Sequence, residues 1–264
     1  MDNIKLILQY DGGAYVGWQR QPRRCGMSVQ QRVEDALSEL YGETIAVNGA
    51  GRTDSGVHAY AQVANYLSAR PLPVQRIAPA LNRLLPADIR AVSAELMAED
   101  FHPRFSAHRK TYRYLLERGR RVSAFGTGYS WQVAQELDVA AMRRAAELLR
   151  GEHDFRHFTL TKASVSNYVR NISAISIYEP PAEQGFFPWQ QLCRPLAVEV
   201  TANGFLYKMM RIISARLTAV GSGELSEQQF AGFLTGEYWR NIPPAPPQGL
   251  MLMNVEYFSA KNAG

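Results

Sequence analysis

The chain has 264 residues, 46% of them hydrophobic and 20% charged, so it can bury a substantial core and intrinsic disorder is not the expectation. Lysine plus arginine exceed aspartate plus glutamate by 29 to 24, and the net charge of +5 favours an anionic partner without requiring one. The two cysteines, Cys25 and Cys193, make neither a disulfide framework nor a thiolate metal cluster, and no apolar run approaches the ~20 residues of a membrane span.

The start, Met1 to Leu6, carries no secretory pattern, so a soluble, cytoplasmic protein is expected. Ile4, Leu6, Leu8 and Tyr10 alternate with Lys5 and Gln9, the period of a half-buried strand, and Asp11-Gly12-Gly13 ends it. A helix is predicted from Ser28, with Gln31 completing a capping box, Val29, Val33, Leu37 and Leu40 as its apolar stripe, and Gly42 stopping it. Gln62 to Leu67 reads as a strand, Val74 to Leu85 as a helix interrupted near Pro79, and Arg90 to Met97 as a strand.

The second half repeats this plan. Strands are predicted at Thr111 to Glu117, Asn171 to Tyr178, Leu196 to Ala202 and Leu250 to Phe258. Helices are predicted at Asp138 to Arg150, ended by Gly151, at Phe205 to Val220 and at Glu227 to Leu234. Strands and helices mix without strict βαβ alternation. The expected class is therefore α+β, largely antiparallel, with helices on one face. The two halves suggest two lobes sharing a sheet and divided near Phe105: residues 1–105 with an aspartate loop, and 106–264 with a tyrosine strand, an arginine helix and a proline-rich loop.

Gly51-Arg52-Thr53-Asp54-Ser55-Gly56-Val57-His58-Ala59 sets one carboxylate in a loop of small and polar residues before an apolar segment. Glycine permits tight turns, and Arg52 and His58 add cationic or proton-handling groups, so Asp54 is the candidate for chemistry. An Asp in such a turn also commonly just hydrogen-bonds its own backbone. Elsewhere His108, Arg109, Lys110 and Arg113 interleave with Tyr112 and Tyr114, and Arg20, Arg23 and Arg24 follow Trp18. Cations neutralise phosphates while rings stack on unpaired bases, a mixture that suits RNA; the plain alternative is a solvated, charged strand. Pro243, Pro244, Pro246 and Pro247 make a stiff loop that can aim Gly249 and Leu250.

In order, Tyr10-Asp11-Gly12 with Gly17-Trp18-Gln19, Ala50 to Asp54 with Gly56 to Ala59 and Gln62-Val63-Ala64, Phe101-His102-Pro103-Arg104-Phe105 with Lys110 to Tyr114, Gly204 to Arg211, and Ala245 to Leu250 resemble the bacterial tRNA pseudouridine synthase A family. The resemblance runs from Ile4 to Tyr257. It implies an isomerase that converts uridine to pseudouridine in the anticodon stem-loop of tRNA, at about positions 38–40, without redox cofactor or metal. It also implies two ferredoxin-like lobes joined through an extended antiparallel sheet, an RNA-binding cleft between them, and a homodimer.

The reaction breaks the C1′–N1 bond, turns the uracil and makes a C1′–C5 bond, so one carboxylate can suffice. The resemblance gives that role to Asp54, by attack at C6, attack at C1′ or removal of a sugar proton. Beneath a base the acid loses water, and the family's matching cation, Arg211, would keep it charged; the plain reading of Arg211 is an arginine snorkelling from a packed helix. Tyr112 and Tyr114 share one strand face, and periodicity does not choose between them. The family pattern chooses Tyr112, to stack on uracil and handle the C5 proton, and Leu250, to close the apolar side. Arg52 would hold phosphate or fill the space an everted base leaves, and His58 is placed with the substrate-binding residues.

Two blocks depart from the family pattern, Ile213-Ser214-Ala215 and Gly26-Met27-Ser28; neither touches the acid, tyrosine or arginine. A non-catalytic RNA-binding protein or RNA chaperone would use the same basic, aromatic cleft, but has no need of Asp54, Tyr112 and Arg211 together. A metal-dependent hydrolase built on Asp54 and His58 lacks a second cluster of Asp, Glu or His in the sequence.

Overall fold

A computed structural model describes residues 1–118, 124–160, 166–181 and 195–258. The fold is α+β with largely antiparallel pairing, and the chain divides into two compact units: Met1–Lys110 together with the stretch beginning at Met251, and Thr111–Leu250. The boundary expected near Phe105 thus lies between Lys110 and Thr111. The last strand packs with the first unit instead of the second because Met251 and Leu252 pair in parallel with His58 and Ala59. Cys193 lies outside the described residues, and Cys25 is an exposed free thiol.

In the first unit β1 (Asp2–Tyr10) is flanked by β3 (His58–Ser68) and β4 (Ile89–Met97), both antiparallel to it. A short β2 (Asn48–Gly49) and β10 (Leu250–Tyr257, from Met251 on) also pair with β3. Ile4, Leu6, Leu8 and Tyr10 are all buried, opposite Tyr66, Ala64, Gln62 and Ala59 of β3, so the period-two pattern sets both the face and the register.

Helix α1 (Val29–Tyr41) buries Val29, Val33, Leu37 and Tyr41, and the Tyr41 and Tyr66 hydroxyls meet at 2.8 Å. Ser28 caps it by accepting from the Gln31 N–H, and Gly42, at φ 70, closes it. Helix α2 (Val74–Leu81) ends four residues short of the expected Leu85. Pro79 removes an intrahelical donor, and the Asn82 amide then bonds both backbone groups of Ala91 in β4, at 2.8 Å each.

In the second unit the strand order is β5 (Ala107–Arg118, from Thr111 on), β9 (Leu196–Ala202), β8 (Val169–Tyr178) and β7 (Gly151–Asp154), and β6 (Trp131–Val133) runs parallel to β5. Asp138 caps α3 (Val139–Glu147), and a full capping box of Ser226 and Gln229 starts α5 (Glu227–Thr235). Between them α4 (Met209–Gly221) is buried on nearly every side, with Arg211 its one half-buried residue.

Helix α4 begins four residues later than expected. Lys208 adopts a left-handed backbone, φ 58, which no α-helix interior accommodates, so Phe205 and Leu206 lie in the turn before it. Ser214 lies in the block Ile213-Ser214-Ala215, which departs from the expected pattern. It is fully buried, and its hydroxyl donates to the Met210 carbonyl at 2.9 Å, so no polar group is stranded.

Candidate active site

Asp54 is half-buried in the turn leading into β3, and the backbone on either side of it is held from several directions. The Ala50 N–H donates to Val63 O at 2.7 Å, and Gln62 donates to Gly51 O at 2.9 Å. The Trp18 N–H donates to Thr53 O at 3.1 Å, Ser55 Oγ donates to Tyr15 O at 3.1 Å, and the Val57 N–H closes the turn on Asp54 O at 3.1 Å. Thr53 Oγ1 lies 2.8 Å from Tyr10 Oη. Burial pushes the Tyr10 phenol up to about 12, against the pull of its bonds to Thr53 and Gln62, so Tyr10 serves the loop as a neutral phenol.

The contacts of Tyr15 and Trp18 come from the segment after β1. Gly17 makes the approach possible: its φ is 104, and a Cβ there would fall 2.5 Å from Thr53 O. Within the loop Gly56 takes a left-handed backbone, φ 77, and Gly51 does not. Local sequence pattern singles out neither Gly17 nor the Tyr10 to Thr53 bond. The available signal was the block Tyr10-Asp11-Gly12 with Gly17-Trp18-Gln19, which the resemblance had already marked.

The two basic groups of the loop part company. Arg52 is exposed. His58 is 2% exposed; its Nδ1 is 3.1 Å from the Gly12 N–H nitrogen and 3.1 Å from Asp11 Oδ1. One ring nitrogen either accepts from Gly12 or donates to Asp11, and both alternatives tie the ring to the segment after β1. β3 starts at His58, whose ring is buried there and held to the segment after β1.

In the second unit Tyr112 is 7% exposed and packs edge-on against Phe205, ring centroids 4.8 Å apart. Tyr114 is fully buried and donates to Pro246 O at 2.7 Å. Burial raises its phenol above the ordinary range while Arg211 opposes the shift, leaving a neutral donor. Arg211 donates through Nε to Ala245 O at 2.7 Å, and its own carbonyl accepts from the Ala245 N–H at 3.1 Å. Tyr114 and Arg211 therefore clamp the proline-rich loop just before Leu250, which is 6% exposed. Arg211 thus lies against the loop that presents Leu250.

Among the described residues, no group of three or more His, Cys, Asp or Glu side chains is arranged to hold a metal ion, and no helix is long and apolar enough to cross a membrane.

A family model described as tRNA pseudouridine synthase matches residues 6–106 and 145–258. The tRNA pseudouridine synthase A of Ruminiclostridium cellulolyticum is 40% identical over 258 residues, covering 97% of this chain and 100% of that protein. Its counterpart from Moorella thermoacetica is 41% identical over 258 residues, with the same coverage, and that from Geobacter sulfurreducens is 40% identical over 259 residues, covering 97% and 100%.

Proposed function

This chain belongs to the tRNA pseudouridine synthase A family and is an isomerase that forms pseudouridine in tRNA, and we propose that its targets are uridines of the anticodon stem-loop, at about positions 38–40, with Asp54 as the catalytic acid. The observation that carries this reading is the bracing of Asp54. A half-buried carboxylate stands on backbone tied to β1, β3 and the segment after β1, the preorganisation expected of a group that must meet one atom of a bound nucleotide.

In the reaction Asp54 acts on the uridine, the C1′–N1 bond breaks, the freed uracil turns and joins C1′ through C5, and the proton that C5 then loses is balanced by one that N1 gains. Tyr112 stacks on the base and handles the C5 proton. Arg211 supplies positive charge, and Leu250 excludes water that would capture an intermediate. Arg52 contacts phosphate or fills the gap left by the everted base, and His58 braces the loop. The enzyme works in the cytoplasm as a homodimer. Everting the base costs about a few kcal/mol, offset by phosphate and stacking contacts.

Two experiments test this. Pseudouridine mapping in tRNA from cells lacking the gene should show loss at about positions 38–40; retention of those modifications would contradict the target. Purified protein should release tritium from C5-labelled tRNA uridine, which a protein that only binds RNA would not do.

A further inference from the structure

Lys110, in β5, carries a cation that the chemistry above does not use. Its Nζ donates to Ala50 O at 2.6 Å, the carbonyl at the root of the Asp54 loop, and packs against Gly51, where a Cβ would lie 3.4 Å from the nitrogen. Burial, with the like charge of Arg104 adding to it, lowers the Lys110 ammonium to about 8. Among the described residues no carboxylate lies within ion-pair distance of it, whereas Lys5, also partly buried, meets Glu95 at 2.7 Å. A desolvated cation without a counter-ion weakens a fold, and an apolar side chain of similar length would be the more stable choice.

We propose that Lys110 is a positioning residue for Asp54, fixing the entry to its loop through the Ala50 carbonyl at a cost in stability. This rests on the reading of Asp54 as the catalytic acid. The backbone ties from Val63, Gln62, Trp18 and Ser55 are bonds between neutral groups, whereas an ammonium donor makes a stronger, charge-assisted bond. It acts at the Ala50 end of the loop, where the Ala50 N–H also bonds Val63 O. The bond fixes the carbonyl four residues before the acid, so its loss displaces Asp54 without removing any group that touches RNA.

The test compares Lys110→Met, Lys110→Arg and Asp54→Asn with wild type in the full chain. For Lys110→Met the expected result has four parts: faster hydrogen exchange at the amides of Gly51 to Ser55, kcat lower by about 10- to 100-fold, KM for tRNA within about threefold, and a melting temperature no lower than wild type. Lys110→Arg, which regains a charged donor, should recover part of kcat. The proposal is overturned by unchanged exchange and kcat. It is equally overturned by a KM about tenfold higher with kcat intact, which would mark a phosphate contact, or by melting temperature and kcat falling together, including failure to fold, which would mark a purely structural lysine. Should Asp54→Asn turn over like wild type, the reading of Asp54 fails, and the exchange measurement still decides the tether.

Discussion

Two loops carry the proposed chemistry, and they are stiffened in opposite ways. The Asp54 loop has little rigidity of its own: small residues occupy it, and its shape is imposed by bonds from Tyr10, Trp18, Gln62 and Val63 and by close contact with Gly17. The loop before Leu250 is stiff by composition, because four prolines fix its backbone, and two side chains, Tyr114 and Arg211, suffice to place it. The first has many ties and no spare volume. The second has few ties and a backbone that holds its own shape. Volume changes should therefore damage the first loop most, and loss of a single bond should damage the second most.

The largest effect expected from this contrast is at Gly17. Gly17→Ala forces a left-handed backbone on an L-residue and drives a methyl into Thr53 O, for a loss of roughly 3 kcal/mol in chemical denaturation and a clear fall in kcat. A variant as stable and active as wild type would show that the close approach does not shape the loop.

Next comes Tyr114→Phe, which leaves the Pro246 carbonyl without its donor. It should cost about 1–2 kcal/mol and lower turnover through the misplaced Leu250. Tyr10→Phe removes one tie among many and should cost about 1 kcal/mol with little change in kcat. A reversal of that order, measured by denaturation of both variants, would undo the comparison.

A further effect is a dependence on pH. Lys110 loses its proton at about 8 in the folded chain, against 10.5 for an ordinary lysine, so between those values the unfolded chain holds more protons and stability from this group rises with pH. The contribution is lost again as pH falls through 8. Arg104 is the charged group that acts on it. Relative to Lys110→Met, wild type should gain stability across that window, and parallel curves would contradict the burial of the ammonium.

Much of the framework was legible because it is local. Leu196 to Ala202 reads as a strand and is one, and Ser28 and Gly42 bracket a helix as their chemistry requires. What escaped the reading depends on distant partners or on too few residues to show a period. Strands β2, β6 and β7 span 2, 3 and 4 residues. The late start of α4 turns on one left-handed lysine, which the apolar run around Phe205 and Leu206 conceals.

The same distinction governs the site. Asp54 stands out by its loop composition and by the family pattern, but the fates of its neighbours do not. His58 is drawn inward because strand alternation and the segment after β1 claim its ring. Lys110 reads as one more basic residue of an RNA-facing strand until its bond to Ala50, 60 positions away, comes into view.

The central claim is that a single braced carboxylate performs the isomerisation. Single-turnover tritium release from C5-labelled tRNA by Asp54→Asn, run beside a tRNA-binding titration, tests it most directly. The account predicts no release, with affinity within about tenfold of wild type, since the change removes chemistry and leaves the RNA contacts in place. Release at a rate comparable to wild type would contradict it.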